Sequence, residues 1–368
     1  MRLLRGGAVV GVGMMVCAMF GLTNQTLASG VTSQTASLAW GPEPAITVGS
    51  NPVEIAAGAN GSIWVVDATD ATLTEIADVN GAATVQQPIA LASGSQPTGV
   101  TVDLDGNIWV GLNNTQQVLQ FVDDNGTWTP QTPIAVNQTG GTMKLVTAPD
   151  GSIWAVFRDT AKLQRIKNTS GAWSTETVLS SDRGIDELVF DTNGVGWLLY
   201  PSGAITKLSE NAGVWSLGET LGTNNRTNWG TQGPNGSLYV SDAGCAFYQL
   251  NPETRTDMRS GGTDCATVQS VATSSDSSIW LASTNGNVDR WSSTNFNRVD
   301  RFIVGGQPRD LTQTTDGSMW FVNADTLKVQ RIVYRAPIAS TITSASSLTS
   351  SVADSINFTI RLAAHYRN

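Results

Sequence analysis

Gly61-Ser62-Ile63-Trp64-Val65-Val66 is one copy of a motif that recurs along most of the chain. It returns as Gly106-Asn107-Ile108-Trp109-Val110 and Gly151-Ser152-Ile153-Trp154-Ala155-Val156. Gly194-Val195-Gly196-Trp197-Leu198-Leu199 and Gly236-Ser237-Leu238-Tyr239-Val240 continue the series. Ser277-Ser278-Ile279-Trp280-Leu281 and Gly317-Ser318-Met319-Trp320-Phe321-Val322 end it. The seven aromatic anchors are spaced by 45 residues at first and by 40 at the end. That period matches one four-stranded propeller blade.

Two further elements share the period. After each anchor comes a short segment such as Leu73-Thr74-Glu75-Ile76, Leu163-Gln164-Arg165-Ile166 or Val329-Gln330-Arg331-Ile332. Its apolar residues lie three apart, so alternation is not strict. Its shortness and its Gly, Asn and Asp boundaries still argue for a strand. Nine residues before each anchor stands Ile55, Val100, Leu145, Leu188, Gly230, Val271 or Leu311, in a segment ending at an Asn-Gly or Asp-Gly type of turn. Such turns supply the residues that tolerate positive φ. The expected fold is all-β: a seven-bladed β-propeller of four-stranded antiparallel blades. A looser fourth strand is expected at Thr127 to Val136 or Ala172 to Leu179. Six of the twelve tryptophans fill anchors, where a flat ring suits the wedge between blades. Ala45-Ile46-Thr47-Val48 is expected to pair onto blade seven and close the ring, so that no sheet edge is left open. The propeller is read over 45–335, after a linker over 29–44.

The recurring Pro-x-x-Ile, Asn/Asp-Gly turn, Ile-Trp and Arg-Ile pattern resembles the virginiamycin B lyase (streptogramin lyase) family of seven-bladed propellers. Pro52-Val53-Glu54-Ile55 with Asn60-Gly61 and Ile63-Trp64 carries it, as do Pro308 to Leu311 with Asp316-Gly317, Trp320 and Arg331-Ile332. It is more distantly similar to NHL-type and lactonase-type propellers. The resemblance implies a ring-opening elimination that uses a histidine base and a carboxylate-bound magnesium ion. The histidines would follow the proline, at positions that here hold Val53, Thr98, Met143, Asp186, Asn228, Gln269 and Arg309. None is histidine. The family's glutamates after the anchor strand correspond to Asp67 and Asp242, in blades one and five. The activity is therefore not expected here.

The single histidine, His365, lies beyond the repeat. Charged residues are 14% and the formal net charge is −9, without a basic run, which argues against a nucleic-acid partner. Arg2 and Arg5, an apolar stretch from Ala8 to Leu22, and small residues to Ala28 form a secretory signal pattern over 1–28. The protein is expected to be secreted, periplasmic or on the cell surface, without a transmembrane span in the mature chain, and monomeric. An uncleaved anchor is the alternative. Cys245 and Cys265 would then be positioned to form a disulfide in an oxidising compartment. Residues 336–368 leave the repeat, as a tail or the start of an incomplete Ig-like domain.

Ten residues before each anchor stands Glu54, Gly99, Lys144, Glu187, Trp229, Ser270 or Asp310. The packing positions stay uniform while this ring position varies and carries charge. With Asp186, Asn228 and Arg309 beside it, it marks a candidate ligand site at the channel mouth; solvated rim residues with local ion pairs are the plainer account. Arg158, Arg183 and Arg226 are expected on nearby loops. Three functions follow. The preferred one is a non-catalytic propeller binding a small molecule, glycan or protein on one rim. The second is a divergent lyase or a lactonase-like hydrolase, with Glu54, Glu187 and Asp310 converging on calcium or magnesium. The third is a structural cell-surface module.

Overall fold

The computed structural model describes residues 39–335, except 80, 137–141, 159, 161, 181–183, 223–226, 234–235, 243–245, 251–256 and 263–265. The expected signal peptide, the C-terminal tail, Arg183, Arg226 and the Cys245–Cys265 pair lie outside the described residues.

Seven antiparallel sheets form the seven blades of a propeller. Blade one runs from an inner strand, Pro52–Ala57, to the anchor strand Ile63–Asp67, a third strand Thr72–Val79 and an outer strand Ala82–Val85. Blades three and four repeat this order with outer strands Ala172–Ser180 and Val214–Gly222. In blades one and two a two-residue strand also joins the third strand, at Ile89–Ala90 and Ile134–Ala135.

Each anchor strand is buried on both faces, because each blade is covered on both sides. Ile63 and Val65 pack toward blade seven with Trp320 and Val322. Trp64 and Val66 pack toward blade two with Val100, Ile108 and Val110. This also explains the apolar spacing of three in the third strands. Leu73 belongs to the cluster shared with blade two and Ile76 to the one shared with blade seven. A strand buried on both faces has no need to alternate.

A second tryptophan set completes the wedges. Trp128, on the outer strand of blade two, meets Trp64 of blade one edge to face at 4.8 Å. Trp173 of blade three meets Trp109 at 4.7 Å, and Trp215 of blade four meets Trp154 at 4.7 Å. Each of these three outer strands thus covers the anchor of the blade before it. The offset edge-to-face geometry suits the ring quadrupoles.

An N-terminal strand closes the ring, upstream of the expected segment. Ala39–Pro42 is the outer strand of blade seven, antiparallel to Lys328–Arg335 in the register Ala39↔Arg335 to Pro42↔Ile332. Ala45 to Val48 contributes only a single bridge, Ile46↔Val329. The reason is the cover that blade six requires. Trp40 meets Trp280 at 5.1 Å, taking the role of Trp128, Trp173 and Trp215. Val48 is instead the link into the next inner strand, buried between blades seven and one as Val304 is packed between six and seven.

Candidate functional site

The inner strands surround a cavity of about 360 Å³. The ring position reaches it because the inner strands share one register. Ile55 opposes Val65, Leu145 opposes Ala155, and Leu188 opposes Leu198, so the residue before each is placed alike. In blades one, two, five, six and seven a register shift precedes or spans the ring residue, as at Pro52/Glu54 and Arg309/Thr312. Such bulges re-aim side chains. Asp310 has φ of 57°, a left-handed backbone that aspartate tolerates better than most residues.

The structure brings Glu54, Lys144, Glu187, Trp229 and Asp310 to this one cavity. Lys144 Nζ lies 3.4 Å from Glu187 Oε2 and 3.6 Å from Glu54 Oε1. It reaches Glu54 two blades away, past Gly99, where an added Cβ would meet Met143 O at 3.0 Å and Leu145 N at 3.1 Å. The same ammonium lies 4.2 Å from the centre of the Trp229 ring, and the Arg158 guanidinium lies 4.9 Å from it. Arg158 also pairs with buried Asp186 at 3.2 Å. Arg309 is half-buried beside Asp310, and its Nε has no hydrogen-bond partner among the described residues. Asn228 belongs to the inner strand Thr227–Gln232, where only its backbone is described.

Burial pushes the Glu54 carboxyl well above the usual range, with Asp310 and Glu187 adding repulsion that Lys144 only partly offsets. Burial also raises Glu187 and Asp310. At Lys144 burial favours the neutral amine, but the carboxylates of Glu187, Glu54 and Asp310 outweigh it and the pKa is raised. The cluster therefore carries a firmly protonated ammonium among carboxyls that hold their protons unusually late.

The acids do not assemble a metal site. Among the described residues no three His, Cys, Asp or Glu side chains are placed to hold a metal ion. The Lys144 ammonium stands where a cation shared by Glu54 and Glu187 would lie. Asp67 is buried and structural: its carboxylate accepts from the backbone N–H groups of Asn51, Thr69 and Asp70. Asn323 does similar work at the same repeat position, accepting from Gln307 N–H and donating to Gly305 O.

Sequence reasoning missed one part of the site, the backbone donors beside the ring. Asp310 accepts from Ile55 N–H at 2.5 Å, Glu54 from Val100 N–H at 3.1 Å, and Ser270 Oγ from Leu311 N–H at 2.9 Å. In each case a ring side chain caps the N–H of the next blade. The signal available was the pairing of an acceptor at one ring position with the apolar residue one repeat later.

A closed seven-bladed propeller with a charged cluster in its channel is the class that fold and site define. No family model matches the chain, and no curated protein does. Among solved structures it is similar to virginiamycin B lyase from Staphylococcus aureus, at 13% identity over 80% of this chain and 99% of that one, with a TM-score of 0.65. It is also similar to a streptogramin B lyase, at 14% identity over 82% and 100%, with a TM-score of 0.67. A catalytically inactive variant of the staphylococcal enzyme with quinupristin matches at 14% identity over 80% and 99%, with a TM-score of 0.65. In fold, the chain is a virginiamycin B lyase-like propeller. At such identity the likeness speaks for the scaffold alone, and function has to come from the site.

Proposed function

We propose that this chain is an exported, non-catalytic propeller that holds a ligand at the mouth of its channel. One contrast carries this reading. The anchor positions are aromatic in every blade, while equivalent ring positions place Glu54, Lys144, Glu187, Trp229 and Asp310 against one cavity. Packing alone does not call for buried ions, each of which costs several kcal/mol to desolvate before pairing. Carboxyls displaced by burial and facing a cleft are candidates for function.

The elimination named for the similar structures does not come over to this chain. The residues that follow the inner-strand prolines include no histidine, and His365 lies beyond the repeat. A general base poised near neutral pH is missing from the places that would hold it. Export rests on the N-terminal pattern ending near Ala28.

The test has two arms. Incubation with a group B streptogramin and magnesium should leave the ring intact; turnover abolished by Glu54→Gln or Glu187→Gln would overturn the non-catalytic reading. A thermal-shift panel of saccharides, amines and short peptides should yield a ligand whose effect is lost in Trp229→Ala. A panel without such a ligand would overturn the binding reading.

A further inference from the structure

The capping of inner-strand N–H groups stops part-way round the channel. The turn bonds Gly58 N–H to Ser62 O, Asp103 N–H to Asn107 O and Ala148 N–H to Ser152 O set which residues of each inner strand bond the anchor strand. Asp191 N–H to Val195 O, Gly233 N–H to Ser237 O, Ser274 N–H to Ser278 O and Thr314 N–H to Ser318 O do so in the other blades. Bonded pairs alternate along an antiparallel ladder. The residue after each ring position therefore turns its N–H away from the anchor strand, toward the channel. There are seven such donors: Ile55, Val100, Leu145, Leu188, Gly230, Val271 and Leu311.

Asp310, Glu54 and Ser270 cap Ile55, Val100 and Leu311. The other four follow Gly99, Lys144, Glu187 and Trp229. Glycine has no side chain, lysine and tryptophan have no acceptor, and Glu187 is turned to Lys144. Among the described residues no side chain accepts from Leu145, Leu188, Gly230 or Val271. Three of these four, Leu145, Gly230 and Val271, line the cavity. Buried backbone donors are nearly always paired, with protein or with water, so uncapped ones facing a cavity offer bonding sites to a molecule that enters it.

We infer, resting on the binding reading above, that the ligand is an uncharged polyhydroxyl molecule of the saccharide class. Around the channel, acceptors and donors alternate: Asp310 and Glu54, then Leu145 N–H and Lys144, then Glu187, then Gly230 and Val271 N–H. A hydroxyl group both donates and accepts, so one molecule with several hydroxyls can serve both sets. Trp229 lines the same cavity, its ring held against Lys144 and Arg158. The three lining carboxyl groups face Lys144, with Arg158 and Arg309 beside them, so the charges are largely balanced and select neither an anion nor a cation. Lys144 already supplies the cation that Glu54 and Glu187 would offer to an amine.

The experiment is amide hydrogen exchange and titration with a panel of neutral mono-, di- and oligosaccharides, with a diamine and a short peptide as comparison probes. A saccharide should bind and slow exchange in segments holding Leu145, Gly230 and Val271. Exchange at Ile55, Val100 and Leu311, already capped, should not change. Trp229→Ala should weaken that binding by about five- to tenfold, with an unaltered near-ultraviolet circular dichroism spectrum. If the diamine or peptide binds in place of any saccharide and needs Trp229, the polyhydroxyl inference falls and the binding reading stands. If no probe binds, or binding ignores both Trp229→Ala and these three amides, both fall.

Discussion

Lys144 and Glu187 occupy the same repeat position in adjacent blades, and their side chains meet at 3.4 Å with both largely buried. Glu54 approaches the same ammonium from the other side at 3.6 Å. One cation thus serves two buried carboxyl groups, and its loss would leave both unpaired. Lys144→Met should destabilise the protein by about 2–3 kcal/mol at pH 7. That is below the 3–5 kcal/mol typical of a broken buried pair, because the carboxyls can retain protons instead. Chemical denaturation of variant and parent at pH 7 and pH 5 checks it. The loss should be smaller at pH 5, and equal loss at both would contradict the account.

Glu54 makes the pH dependence testable by itself. Burial first, then repulsion from Asp310 and Glu187, holds its folded pKa well above the ordinary glutamate range. A glutamate titrates near about 4.3 when unfolded. Between that value and the raised folded pKa the native state binds more protons. Stability from Glu54 is therefore full below the unfolded pKa and is lost as pH rises through the folded one. Asp276 works in the opposite direction: partial burial raises it, but Ser274, Ser278 and Arg290 bring the net shift down. Comparing Glu54→Gln with the parent cancels such background. The variant should gain on the parent as pH climbs above the unfolded value of about 4.3. A constant difference would show that Glu54 does not titrate in this window.

The blades were legible because the anchor signature repeats seven times, and the ring position because it varies at a fixed offset from that anchor. The outer tryptophans were legible in principle, through Gly126-Thr127-Trp128, Gly171-Ala172-Trp173 and Gly213-Val214-Trp215. They went unread because outer strands vary in length and their Trp residues only half-bury. The closing strand was misplaced for a related reason. Ala45 to Val48 resembles the link that follows an outer strand, whereas Trp40 marks the strand itself. The Lys144 bridge spans blades one to four, from Glu54 to Glu187, which a residue-by-residue reading does not weigh. The inward N–H groups have no sequence letter at all, and only the ladder register reveals them.

The two tryptophan sets should separate stability from binding. Trp109 is fully buried and Trp173 covers it edge to face at 4.7 Å. Trp109→Ala should cost about 3–5 kcal/mol, and Trp173→Ala about 2–3 kcal/mol since that ring is half-buried. Trp229 is half-buried at the cavity, with cations rather than a second indole at its ring. Trp229→Ala should cost less stability than either. Urea midpoints of the three variants check the order; a Trp229→Ala loss equal to that of Trp109→Ala would make Trp229 a core residue.

Closure by Ala39–Pro42 predicts where truncation becomes harmful. A chain begun at residue 38 keeps the strand, whereas one begun at residue 43 exposes the Lys328–Arg335 edge. The second truncation also uncovers Trp280 and removes the Trp40 ring that lies 5.2 Å from the Arg290 guanidinium. Glu43, paired with Arg331 at 2.6 Å, and the single Ile46↔Val329 bridge do not replace a strand. An unpaired edge beside an uncovered aromatic is a template for association. The shorter chain should melt lower and form oligomers on size exclusion. Trp40→Ala in the full chain should lower Tm by about 3–5 °C, as a loss of 2–3 kcal/mol does in a domain of this size. If the chain begun at residue 43 is monomeric and melts like its longer counterpart, the closing strand carries no stability and this assignment is wrong.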